Sequence, residues 1–250
     1  MTPPHGTLYG VGVGPGDPEL LTLRAHRLIQ DADLIVYPAP DDGESFARSI
    51  VAEFMPVGVE EYAIVIPMRT QRFPAKSVYD QAASDIAEHL STGRKVVVLC
   101  EGDPFFYGSF MYLYERLQDR FDCVTVPGVS SLMASSAVLG RPLAARNDVL
   151  SVVPAPLDDG AILKQLADSD ALAFIKVGRH FARLKSLIET SGLLDQALYV
   201  ERATLETQKL MPLADVSEQA APYFSIILVY KGGEGWISSL TPLASEKELV

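Results

Sequence analysis

Along the first half of the chain, runs of Val, Ile and Leu with few polar interruptions recur at Thr7–Gly12, Leu34–Tyr37, Lys95–Cys100 and Cys123–Val126, with Tyr62–Ile66 a further candidate. Strands apolar on both faces belong to parallel sheets covered by helices. The intervening stretches Glu19–Gln30, Ser45–Glu53, Lys76–Leu90, Ser109–Leu117 and Ser130–Leu139 carry the spacing of amphipathic helices. This alternation predicts a doubly wound α/β domain over residues 1–142. Beyond Gly140-Arg141-Pro142, apolar runs at 149–153, 171–177, 197–200 and 224–230, with helices near 161–167, 181–189 and 213–219, predict a second α/β domain over 143–250. The tail from Gly232 onward is expected to be a short terminus.

Composition narrows the function classes. A formal charge of −11 argues against nucleic-acid binding, which requires basic surface to neutralise phosphates. No apolar run reaches the roughly 18 residues of a membrane span, and the opening Met-Thr-Pro-Pro-His-Gly-Thr has neither the basic flank nor the apolar core of a signal, so a cytoplasmic protein is expected. Cys100 and Cys123 both fall within apolar strands, which predicts buried thiols rather than a disulfide. Paired Cys/His ligands are lacking, and no metal site is expected.

The chemistry-bearing segments sit at strand ends. Gly10-Val-Gly-Val-Gly-Pro-Gly-Asp-Pro18 follows a strand and opens a helix. Its glycines fall in no register of the dinucleotide fingerprint, and Pro15 offers no N–H to a pyrophosphate, which disfavours a nicotinamide-dependent oxidoreductase. Asp17 and Pro18 have a local explanation as helix cap and first helical residue. The same tripeptide returns in Glu101-Gly-Asp-Pro-Phe-Phe-Tyr-Gly108, directly after Lys95–Cys100. A third strand end carries Pro127-Gly-Val-Ser-Ser131, without the second glycine of a nucleophile elbow. Ligands of open α/β sheets bind beyond the carboxyl ends of strands, so these turns are natural walls of one crevice.

In this order and spacing the three segments resemble the signatures of the tetrapyrrole methylase family. Gly6-Thr-Leu-Tyr-Gly10, Tyr37-Pro-Ala39, Ile66-Pro-Met68, Glu101, Lys176-Val-Gly-Arg179 and Tyr199-Val-Glu-Arg-Ala203 further resemble its precorrin-2 C20-methylating branch. Glu101, Lys176-Val177 and Phe224-Ser225 depart from the pattern common in other branches. The resemblance implies two α/β domains with the active site in the cleft between them, S-adenosyl-L-methionine as methyl donor, a tetrapyrrole substrate and a homodimer. Position by position it places the donor at Pro15, Gly102, Asp103, Phe106, Ser130, Ser131, Val177 and Ala203. The implied reaction converts precorrin-2 to precorrin-3A in cobalamin biosynthesis; the cobalt-containing factor II of the anaerobic route is the alternative substrate.

The implied attacking atom is a meso carbon that needs no protein nucleophile, and Glu101 and Tyr107 are candidate proton acceptors afterwards. A substrate rich in carboxylates needs Arg and Lys partners. Candidates are Arg69, Arg72, Lys76, Arg141, Arg146, Lys176, Arg179, Arg183, Arg202 and Lys209, with Arg179 and Arg202 preferred because each closely follows a strand of the second domain. Among the histidines, His5, His26 and His89 are expected at the surface, and His180 is the least easily dismissed.

Overall fold

The computed structural model describes residues 5–66, 74–217 and 221–232. Arg69, Arg72, Pro67-Met68, the end of the 213–219 helix expectation and the tail from 233 onward lie outside them. The chain divides into two compact units, Met1–Ser131 and Leu132–Val250.

In the first unit, β1 (Thr7–Gly12), β2 (Leu34–Pro40), β3 (Glu60–Ile66), β4 (Lys95–Cys100) and β5 (Asp122–Val126) form one sheet in the order β3-β2-β4-β1-β5. Every pairing is parallel. Alternation along the strands divides the core between the two faces. Leu34, Val36, Val96 and Val98 pack with α3 (Pro74–Ser91) and α4 (Phe110–Leu117), whereas Ile35, Val97 and Leu99 pack with α1 (Leu23–Gln30) and α2 (Phe46–Val51). Each fully buried Leu, Ile or Val contributes about 1.5–3 kcal/mol, so a sheet apolar on both faces is held by both helical layers. Gly10 leaves the space that the Phe110 ring fills; a Cβ there would come within 2.3 Å of it.

The expected helix at Glu19–Gln30 is two elements. Asp17 caps a 3-10 turn, Pro18–Leu20, and Leu21 then reverts to extended backbone. Thr22 starts α1 by accepting from the Ala25 N–H at 3.1 Å.

The second unit holds β6 (Leu150–Pro154), β7 (Ala171–Ile175), β8 (Ala197–Glu201), β9 (Lys209–Pro212) and β10 (Ser225–Tyr230), ordered β6-β7-β10-β8-β9. Only β6 and β7 are parallel; β10 runs antiparallel to both β7 and β8, and β8 to β9. Helices α6 (Asp159–Asp168) and α7 (Phe181–Thr190) cover the face carrying Leu172, Phe174 and Ile227. Leu132, Ala134 and Leu139 of α5 (Ser131–Leu139) pack on the opposite face with Ala173, Ile175, Val200 and Leu228. That packing explains why the second unit begins before the Gly140-Arg141-Pro142 break.

Two expectations in this half are corrected. β9 was not foreseen, and the described part of 213–219 is a short 3-10 turn, Leu213–Asp215, followed by extended backbone at Val216. Because β10 returns antiparallel, its first residue lies beside the last residue of β8: Ser225 pairs with Glu201.

Candidate functional site

Three strand-end turns converge at one edge of the first sheet. β1 and β4 continue their partnership past their ends, with the Val13 N–H donating to the Cys100 carbonyl at 2.9 Å. Gly14 and Gly102 then form an antiparallel bridge, Gly102 N–H to the Gly14 carbonyl at 2.8 Å and the reverse at 3.4 Å. The third turn joins through glycine packing: a Cβ on Gly128 would lie 2.1 Å from the Gly102 carbonyl oxygen, and one on Gly12 would lie 2.6 Å from Gly128. No side chain fits at either position.

Asp103 fastens two of these turns. One carboxylate oxygen accepts from the N–H groups of Phe105 and Phe106 at 2.9 and 3.0 Å, the local capping expected of a residue before Pro. The other accepts from the Gly128 N–H at 3.1 Å, a bond across turns that local propensity does not foretell. Asp17 makes the local bond, to the Glu19 N–H at 2.8 Å.

Of the donor candidates, Pro15, Gly102 and Ser130 are buried at this edge, Asp103 is half-buried, and Phe106 and Ser131 are exposed. Glu101 follows β4 directly, and burial raises its carboxyl above the usual carboxylate range. Tyr107 is exposed with its backbone in the left-handed region (φ 58°), uncommon for a non-glycine residue, and its ring meets that of Phe106 edge-on at 5.1 Å. Cys100 is buried and Cys123 only half-buried; both thiols are free, and burial pushes each upward, Cys123 to about 11.

In the second unit the candidates lie just past β7 and β8, whose carboxyl ends flank the amino end of β10. Lys176 and Arg202 each take up the left-handed region immediately after their strand, with φ 56° and 50°. Val177 is fully buried and its carbonyl accepts from the His180 N–H at 2.8 Å; Ala203 is buried as well. Lys176 and Arg179 are exposed. Arg179 lies 3.5 Å from the His180 ring, whose pKa is lowered by partial burial and then by Arg179 and Arg183.

Arg183, Arg202 and Lys209 each have partners within the second unit. Arg183 is an internal strut, bonded to the Asp159 carboxylate and to the carbonyls of Ala155 and Leu157. Lys209 and Arg202 both reach Glu201, at 3.5 and 3.0 Å. Glu201 was not singled out as a site residue, although a carboxylate closing the apolar run Ala197-Leu-Tyr-Val200 was a visible signal. Among the described residues, no group of three or more His, Cys, Asp and Glu side chains could hold a metal ion, and no helix is long and apolar enough to cross a membrane.

The family model of Tetrapyrrole (Corrin/Porphyrin) Methylases matches residues 7–217. The cobalamin biosynthesis protein CobIJ of Mycobacterium tuberculosis is 43% identical over 91% of this chain, which spans only 46% of that relative's length. The precorrin-2 C(20)-methyltransferase of Sinorhizobium sp is 37% identical over 92% of this chain and 96% of its own. The cobalt-precorrin-2 C(20)-methyltransferase of Salmonella typhimurium is 32% identical over 92% and 98%. Among solved structures, uroporphyrin-III C-methyl transferase from Thermus thermophilus, complexed with S-adenyl homocysteine, superposes with a TM-score of 0.66 at 22% identity, covering 90% of this chain and 98% of that one.

Proposed function

This chain belongs to the tetrapyrrole (corrin/porphyrin) methylase family, and from that premise we propose that it transfers a methyl group from S-adenosyl-L-methionine to C20 of precorrin-2, giving precorrin-3A in cobalamin biosynthesis. The observation that carries the donor assignment is the fused edge of three glycine turns. Gly12–Pro18, Glu101–Gly108 and Pro127–Ser131 contain no Lys or Arg, so the edge offers backbone groups, hydroxyls and carboxylates but no cation for a phosphate. That donor set suits a neutral nucleoside and a zwitterionic amino-acid end, and Pro15 offers no N–H to the pyrophosphate of a dinucleotide.

The donor supplies an electrophilic methyl on sulfonium. Catalysis then rests chiefly on alignment of methyl and meso carbon, which rigid turns locked by backbone contacts can hold. Pro15, Gly102, Asp103, Phe106, Ser130 and Ser131 bind the donor from the first unit. Glu101 accepts the proton released from the methylated carbon, its carboxylate made more basic by burial, with Tyr107 the other candidate. Lys176, Arg179 and Arg202 bind substrate carboxylates.

C20 specificity rests on the end-to-end likeness to the precorrin-2 enzyme. The cobalt-containing substrate is the second reading, favoured by the likeness to the cobalt-precorrin-2 enzyme. Isotopically labelled donor offered anaerobically with each substrate separates the two. Faster turnover of metal-free precorrin-2 is expected, and faster turnover of the cobalt form would replace the first reading with the second.

A further inference from the structure

Glu201 is the last residue of β8, and its side chain is only 5% exposed. A carboxylate so buried is retained only where its charge is compensated. Here three donors meet it: the Arg202 guanidinium at 3.0 Å on one oxygen, and the Tyr199 hydroxyl at 3.1 Å and the Lys209 ammonium at 3.5 Å on the other. Tyr199 shares the Glu201 face of β8, whereas Lys209 comes from the paired position on β9.

The contact with Arg202 is unusual because adjacent residues of an extended strand point to opposite faces. Arg202 escapes that rule by leaving the strand in the left-handed conformation, with its N–H held by the Phe224 carbonyl at 2.8 Å. Such a backbone is strained for a residue with a side chain and persists only where surroundings impose it. The two cations around one carboxylate leave a net positive charge, and their side chains remain 40% and 48% exposed. The assembly is therefore a fixed cationic fork whose buried side is occupied by Glu201 and whose open side faces solvent.

We infer that Glu201 is a positioning residue, which holds Arg202 and Lys209 as a preassembled receptor for a carboxylate of the tetrapyrrole. The inference rests on the reading that Arg202 binds substrate. Glu201 touches neither substrate nor donor; it acts by removing the rotational freedom that two long cationic side chains would otherwise lose on binding. Lys209 thereby joins the substrate-binding set.

Steady-state methylation with precorrin-2 and S-adenosyl-L-methionine tests it in Glu201→Gln, Arg202→Ala and the double variant. Glu201→Asp serves as a charge-conserving variant whose shorter side chain withdraws from Arg202. Either Glu201 variant should raise the KM for the tetrapyrrole about tenfold, the scale of one charge-assisted hydrogen bond, with kcat and S-adenosylhomocysteine affinity unchanged. Arg202→Ala should raise the same KM, and adding Glu201→Gln to it should raise KM by less than Glu201→Gln does alone, because only Lys209 is then left to be held. An unchanged KM in Arg202→Ala overturns the reading of Arg202 and the inference with it. A raised KM in Arg202→Ala but not in the Glu201 variants overturns the inference alone. So does a joint fall of kcat, donor affinity and melting temperature in both Glu201 variants, the signature of a purely structural carboxylate.

Discussion

Replacement of Gly128 by Ala would test whether the three turns are one rigid object. The added Cβ would meet the Gly102 carbonyl oxygen at 2.1 Å and two backbone atoms of Gly12 at 2.8 Å. All three contacts are with backbone, so no rotamer change relieves them, and the third turn must move away from the other two. Overpacking of this kind costs about 1–3 kcal/mol. The same displacement stretches the bond from the Gly128 N–H to Asp103, now 3.1 Å, which as a bond to a charged group is worth about 1.5–3 kcal/mol. The sum, about 2.5–6 kcal/mol, corresponds to a fall on the order of 10 °C in melting temperature for a chain of this size. Gly58→Ala is the control: its φ is +76°, but nothing lies within 4 Å of the new Cβ, so only the left-handed penalty of about 1 kcal/mol applies. Scanning calorimetry and titration with S-adenosylhomocysteine should show Gly128→Ala far below Gly58→Ala in stability and weakened in donor binding. A Gly128→Ala protein that melts with Gly58→Ala and binds the product as the unsubstituted chain does would refute the rigid-edge account.

Two further outcomes follow from the same edge. Asp103→Ala removes the acceptor for three N–H groups and should weaken S-adenosylhomocysteine binding at least tenfold by titration calorimetry, whereas unchanged affinity in a folded variant removes Asp103 from the donor site. Glu101 has its folded-state pKa raised by burial from an ordinary 4.5, so its favourable contribution is complete below that value and is lost as pH rises through the folded-state pKa. Melting curves of Glu101→Gln should therefore match the unsubstituted chain near pH 4 and exceed it increasingly toward neutrality; a difference independent of pH would show that burial does not perturb this carboxyl.

The first sheet was largely legible because its strands are unbroken apolar runs, and β1 and β4 begin and end where the pattern predicts. β9 was hidden: Lys209-Leu-Met-Pro212 is short, ends in Pro and borrows its strand character from pairing with β8. Strand direction in the second unit was equally invisible, since an apolar strand reads alike whether its neighbours run parallel or antiparallel. The break at Leu21-Thr22 was missed because the apolar spacing runs through it, while the Thr22 side-chain cap decides where α1 starts. At the candidate site, the glycine turns announced themselves by composition. What joins them did not, because the Asp103–Gly128 bond spans 25 residues and the Gly12–Gly128 approach depends on which strands are neighbours. Glu201 was obscured for the same reason: its role is visible only once β9 brings Lys209 beside it.

The proposed reaction is methylation of C20 of precorrin-2. Incubation of the purified protein with precorrin-2 and S-adenosyl-L-methionine carrying a 13C-labelled methyl, followed by carbon NMR and mass spectrometry of the product, tests it directly. A single labelled methyl on C20 is expected; a label on any other carbon, or donor binding with no transfer to precorrin-2, would overturn the proposed reaction.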